Sequence, residues 1–115
     1  VRQECSFDFL YIEDLPPIVE WFLENTPRYH DYNICYGQPY QLTQLAKIVL
    51  KASGKALPVT VLEPGRNLDY TACNTRLLRE YPEKLTPINQ AIDQLYHWYE
   101  KNQMQIDPEI LRKTR

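Results

Sequence analysis

Proline decides where regular structure can start in this chain. Pro16 and Pro17 follow the apolar stretch Phe7-Asp8-Phe9-Leu10-Tyr11-Ile12-Glu13-Asp14-Leu15, and proline fits only the first turn of a helix, where its missing N–H had no intrahelical partner. From there the apolar residues fall at Leu15, Ile18, Val19, Phe22 and Leu23, the one-sided stripe of an amphipathic helix. The spacing predicts a helix entered through the prolines, with the Asp14 carboxylate as N-cap. Asn25-Thr26-Pro27 closes it, because a residue preceding proline disfavours helical geometry. Glu13 and Asp14, adjacent at a strand end, point to opposite faces and make no acid/base dyad.

The same punctuation continues downstream. Tyr32 to Tyr36 reads as a short strand ended by Gly37-Gln38-Pro39, and Leu42, Leu45, Ala46 and Val49 mark a helix stopped by Gly54. Val59 to Leu62 is a second expected strand, with Glu63-Pro64-Gly65 as its turn. Asn74 to Tyr81 is expected to form a short helix. Thr86-Pro87 repeats the cap-and-proline start before the stripe Ile88, Ala91, Ile92, Leu95 and Tyr99, and a last short helix is expected from Asp107-Pro108. Helices with two or three short strands give an α/β chain, mainly helical, whose strands are too few for a self-contained doubly wound sheet. The whole of 1–115 reads as one unit.

Composition narrows the class. With 43% hydrophobic and 24% charged residues the chain is globular in character, and no apolar run approaches the roughly 20 residues that span a bilayer. No membrane association is expected. A net charge of -2 argues against a nucleic-acid partner, and the one basic cluster, Arg112, Lys113 and Arg115, reads as a solvated tail. Cys5, Cys35 and Cys73 are odd in number and widely spaced, which points to neither a disulfide framework nor a zinc site and fits a reducing cytoplasm. The first residue is Val1 and no signal peptide follows it, so the start reads as a cut in something longer.

Catalytic motifs are absent. With glycine only at 37, 54 and 65, no glycine-rich phosphate loop is possible. His30 and His97 lie in different segments and take no assigned role. Cys35 and Cys73 are read as small apolar residues in preference to nucleophiles. Trp21, Phe22, Tyr96, Trp98 and Tyr99 fall at helical spacing, which favours a core, or a face resting on another domain, over a stacking platform.

Five stretches, in this order, carry a resemblance. They are Phe7 to Leu15 (FDFLYIEDL), Tyr32 to Pro39 (YNICYGQP), the leucine-bearing Gln41 to Ala46, Glu63-Pro64-Gly65-Arg66 with Tyr70 to Leu77, and Thr86-Pro87-Ile88 with Trp98-Tyr99. From about Phe7 to Lys101 the chain resembles the C-terminal part of an extended short-chain dehydrogenase/reductase, the NAD-dependent sugar epimerase/dehydratase family. The resemblance implies an absent N-terminal Rossmann half that binds NAD and holds a Tyr-x-x-x-Lys pair, the lysine lowering the tyrosine pKa. No tyrosine here has lysine four positions later, so the chain supplies no catalytic or cofactor-binding residue.

What the resemblance leaves to this chain is the substrate side, closing over a nucleotide-diphosphate sugar and packing on its own Rossmann half. Family members hold the phosphates with an arginine at the Phe7 position and another at the Glu63 position, since a guanidinium fork matches phosphate oxygens. Both arginines are replaced here. Arg66 is the nearest substitute in the same loop, weighed against an ordinary surface charge, and Arg76 is a poorer one. Tyr70 either packs against the sugar or base or, as the structural expectation, lies in the core. Two other readings stay open: a non-catalytic interaction or regulatory domain on the same scaffold, and a reductase of a carbonyl substrate lacking a diphosphate. An isolated fragment of this kind is expected to bare an apolar patch and to self-associate through it.

Overall fold

The first eight residues form the seam along which the chain is assembled. In the computed structural model, which describes residues 1–107, 109 and 110, β1 (Ser6–Phe7) pairs antiparallel with β2 (Tyr40–Gln41), Ser6 opposite Gln41 and Phe7 opposite Tyr40. On its other side the segment 60–70 runs parallel to the N-terminus through isolated bridges, Glu4 to Arg66 and Phe7 to Tyr70. Backbone bonds follow that lane: Glu63 N–H to Arg2 O at 2.8 Å, Asn67 N–H to Glu4 O at 2.8 Å, and Tyr70 N–H to Ser6 O at 2.9 Å.

This arrangement corrects both expected strands. Tyr32 to Tyr36 forms no strand: its last two carbonyls are taken by one side-chain amide in place of a neighbouring ladder, Asn74 Nδ2 donating to Cys35 O and Tyr36 O. Val59 to Leu62 is likewise outside the sheet, tied to the N-terminus by Leu62 N–H reaching Val1 O and Arg2 O and by the Val1 amino group donating to Thr60 O. The chain is nonetheless a mixed one, four α-helices with a two-stranded sheet among the described residues.

The helices stand where periodicity puts them: α1 (Leu15–Glu24), α2 (Leu42–Ser53), α3 (Thr75–Glu80) and α4 (Ile88–Lys101). A single 3₁₀ turn at Ile12–Asp14 leads into α1, so the apolar run starts in β1 at Phe7 and coils only in its last residues before Leu15. Asp14 adopts helical angles and its carboxylate caps nothing in α1. The reason lies in the sequence: a cap carboxylate accepts from the second and third helical N–H groups, and those positions are Pro16 and Pro17, which have none. Freed of that task, Asp14 accepts from Thr86 N–H at 2.9 Å and from Thr86 Oγ1–H at 2.6 Å. Thr86, expected to cap α4, is held by the other supposed cap, and Pro87 occupies the capping position.

α2 is the fully capped helix. Gln41 and Gln44 make a reciprocal capping box, and Gly54 closes the far end at φ 65°, its N–H bonding Lys51 O. Glu4 reaches in from the seam to accept from Thr43 N–H and Thr43 Oγ1–H, placing a negative charge at the helix N-terminus. α2 packs against α4.

Ile18 of α1 and Leu77 of α3 are fully buried and meet Tyr81, ringed by Trp21, Phe22, Tyr32 and Leu85. Burial of each such aliphatic side chain contributes about 1.5–3 kcal/mol. Leu23, expected on the buried stripe, is 82% exposed, and Trp98 and Tyr99 are also exposed. The radius of gyration is 16.7 Å, against about 13–14 Å for a self-contained domain of this length. Among the described residues no helix is long and apolar enough to cross a membrane. The helix expected from Asp107-Pro108 and the basic tail Arg112, Lys113 and Arg115 fall on residues outside the described ones, apart from Asp107, Glu109 and Ile110.

The Asp14–Thr86 clamp joins the start of α1 to the start of α4. Asp14→Ala strands two Thr86 donors and is expected to lower unfolding free energy by about 1–3 kcal/mol, whereas the exposed neighbour Glu13→Ala stays within about 0.5 kcal/mol. Urea denaturation of the two variants beside the parent chain measures both.

Candidate functional site

Three stretches that are far apart in sequence meet at Gly37. Its N–H donates to both carboxylate oxygens of Asp8, at 2.9 and 3.0 Å, and its φ of 83° lies in the left-handed region that glycine alone adopts freely. A Cβ added there would stand 2.3 Å from Asn74 Oδ1. Asn74 is itself buried, its amide donating to Cys35 O at 3.0 Å and Tyr36 O at 2.9 Å. Asp8, Gly37 and Asn74 thus form one junction between the N-terminal seam, the loop before β2 and the start of α3. An open cleft of about 460 Å³ lies beside it, walled by Tyr36, Gln38, Leu78, Tyr81 and Lys84.

The four candidate substrate residues lie along the seam and the lane beside it. Phe7 sits in β1, bridged to Tyr70 and stacked edge-on against Phe9 at 5.7 Å between ring centroids. Tyr70 is 76% exposed, so its side chain is not in the core. Glu63 is paired with Arg2, Nε to Oε1 at 2.7 Å. Arg66 is half-exposed and its Nη2 donates to Ser6 Oγ at 3.0 Å and to Asp69 at 3.0 and 3.1 Å. Both planar forks of a guanidinium use an Nη2 hydrogen, and here Nη2 is taken. Arg66 therefore offers an anion single contacts through Nε and Nη1, not a two-pronged grip, unless Asp69 lets go. Arg76, the poorer substitute, is committed to Asp31 and lies over the Tyr29 ring at 4.9 Å.

Protonation follows the same bonds. Asp69 accepts from Ser6 N–H at 2.6 Å, and that bond, aided by Arg66, holds its carboxyl below its ordinary value. The Thr43 hydroxyl does the same for Glu4. Burial, with Asp8 nearby, pushes the Cys35 thiol up to about 11. Cys73 is exposed and its thiol is lowered by hydrogen bonding to Thr75, Sγ to Oγ1 at 3.0 Å. His97 stands between Asp93 and Glu100 on α4, and among the described residues no group of His, Cys, Asp and Glu is placed to hold a metal ion.

Sequence reasoning singled out Glu63 and Arg66 but not their partners Arg2 and Asp69, nor the Asp8–Gly37–Asn74 junction. Gly37 ahead of Pro39 was the one local signal of a special turn. Searches of family models, curated proteins and solved structures give no match to this chain.

Two outcomes follow. Gly37→Ala meets both an unfavourable φ and the Asn74 side chain, whereas Gly54→Ala meets the φ alone, with nothing within 4 Å of the new Cβ. The first is expected to cost at least about 1 kcal/mol more than the second in urea denaturation, where a left-handed non-glycine residue by itself costs about 1–2 kcal/mol. Because the folded Glu4 and Asp69 hold their charge below the ordinary carboxylate range, their stabilisation is complete above about pH 5 and is lost as pH falls through the lowered values. Unfolding midpoints measured from pH 6 downward should fall on acidification, and Asp69→Asn should flatten part of that fall.

Proposed function

We propose that this chain is the substrate-binding C-terminal region of an NAD-dependent nucleotide-sugar epimerase or dehydratase of the extended short-chain dehydrogenase/reductase type, inactive by itself. One observation carries the reading: the stretches that resemble the family's motifs converge through their own motif residues. The Asp8 carboxylate of FDFLYIEDL seats Gly37 of YNICYGQP, and β1 bridges Phe7 to Tyr70 at the start of the next stretch. The expanded radius of gyration and the exposed apolar side chains on α1 and α4 support a partner body, the chain's own Rossmann half. In this reading NAD and the acid/base pair belong to that half, and the seam, with Phe7, Glu63, Arg66 and Tyr70, faces the nucleotide-diphosphate sugar.

A second reading is favoured by one specific feature. Arg66 is tied to Asp69 and Ser6 and the Arg2 Nε is tied to Glu63, so both seam guanidiniums are already engaged by carboxylates and Arg66, the candidate phosphate anchor, has no free two-pronged grip. That favours a carbonyl substrate without a diphosphate.

The gene upstream of Val1 is expected to encode a glycine-rich strand-turn-helix and a Tyr-x-x-x-Lys pair, and its sequence tests the enzyme assignment. Titration of the longer protein with nucleotide-diphosphate sugars and with simple ketones then separates the substrates. Arg66→Ala is expected to weaken sugar-nucleotide binding about tenfold, or ~1.4 kcal/mol. Unchanged affinity with intact ketone turnover moves the assignment to the second substrate class.

A further inference from the structure

Cys35 and Cys73, distant in sequence, lie on two segments that are held side by side by side-chain bonds. Cys35 Sγ contacts Ala72 O at 3.5 Å, Asn33 Nδ2 donates to Cys73 O at 3.0 Å, and Asn74 Nδ2 returns a bond to Cys35 O. The Ala72 carbonyl belongs to the peptide unit that ends at Cys73, so standard peptide dimensions keep the Cys35 sulfur within roughly 6 Å of the Cys73 Cα. Forming the bridge requires Cys73 to turn off Thr75 and the two Cα atoms to stand about 4.4–6.8 Å apart.

We propose that Cys35 and Cys73 are a peroxide-responsive pair in which oxidation of the exposed Cys73 is resolved by the buried Cys35 into an intramolecular disulfide. The Cys73 thiolate attacks one oxygen of hydrogen peroxide, breaking the O–O bond to leave a sulfenic acid and hydroxide. The Cys35 sulfur then attacks the Cys73 sulfur, the S–O bond breaks, and the oxygen leaves as water with the Cys35 proton. Two thiols are oxidised and one peroxide is reduced.

The two environments suit these roles. Cys73 is open to solvent, beside the Thr75 hydroxyl and within the influence of Arg79, conditions that favour its thiolate. Cys35 is buried beside Asp8 and keeps its proton until a partner sulfur is presented. The product joins two segments that otherwise meet through the Asn33 and Asn74 side chains, and so fixes the loop carrying Gly37 onto the start of α3. Cys5, buried within the seam, has no such cysteine contact among the described residues' hydrogen bonds and is expected to remain a thiol. The inference does not depend on the proposed function.

The test treats the native protein with a small excess of hydrogen peroxide, alkylates it in denaturant and maps peptides without reduction. The expected result is a Cys35 peptide linked to a Cys73 peptide, two hydrogens lighter than the sum, released by dithiothreitol, with Cys5 fully alkylated. Cys73→Ser is expected to leave Cys35 alkylatable under the same treatment. The inference is overturned if Cys73 proceeds to sulfinic acid with Cys35 still free, if Cys73 links only between molecules, if Cys35 is oxidised as readily in Cys73→Ser, or if neither thiol reacts.

Discussion

The backbone of residues 1–8 is used on both sides, and the rest of the structure is hung from it. β2 takes one edge and the 60–70 lane takes the other, yet each pairing is only a few residues long, and ladders this short are marginal in water. Side chains supply what the ladders lack. Glu4 holds the first turn of α2, Asp69 holds the Ser6 N–H, and Asp8 holds Gly37. Each of these carboxylates bonds a backbone N–H belonging to another part of the chain, so register is set by charge-assisted bonds at alternating positions more than by strand length. The α1 and α4 starts obey the same logic through Asp14 and Thr86.

How much of this was legible follows from which interactions are local. Helical stripes at Ile18, Leu45 and Ala91 report their own periodicity, and all four expected helices that the described residues cover are present. The two supposed caps were misread although the sequence held the answer: prolines at the second and third helical positions leave Asp14 nothing to accept from. Strands were the larger loss, since Tyr32 to Tyr36 and Val59 to Leu62 have strand composition but strand identity depends on a partner edge, and the edges of β1 were taken by Tyr40–Gln41 and 66–70. The candidate site was half legible for the same reason. Glu63 and Arg66 came from a resemblance, whereas Arg2 and Asp69 became their partners only because the N-terminus lies beside that loop.

The apolar pattern is wider than the chain's own packing uses. On α1 the stripe includes Val19 and Leu23, both exposed, and on α4 Leu95, Trp98 and Tyr99 are exposed. Phe9, Leu10 and Tyr11 join Leu45, Val49, Ile88 and Leu95 around an apolar groove of about 220 Å³. Single exposed apolar residues are ordinary, but runs of them on two helix faces, with two fully buried large side chains among the described residues, are not. The proposed Rossmann half gives these faces something to lie against, and the enlarged radius of gyration is what a lobe that is built around a neighbour would have.

Along the seam, structural and binding roles compete for the same charges. Arg2 and Arg66 stand among Glu4, Asp8, Glu63 and Asp69, two guanidiniums against four carboxylates, and both guanidiniums are already paired. A diphosphate arriving there meets a net negative surface, and to gain a two-pronged grip on Arg66 it must displace Asp69, the residue that also holds the Ser6 N–H in the lane. Binding an anion in that way loosens the seam, whereas a neutral carbonyl compound leaves it intact. Under the proposed function, the choice between the two substrate classes turns on whether binding energy at Arg66 exceeds what Asp69 contributes to the fold.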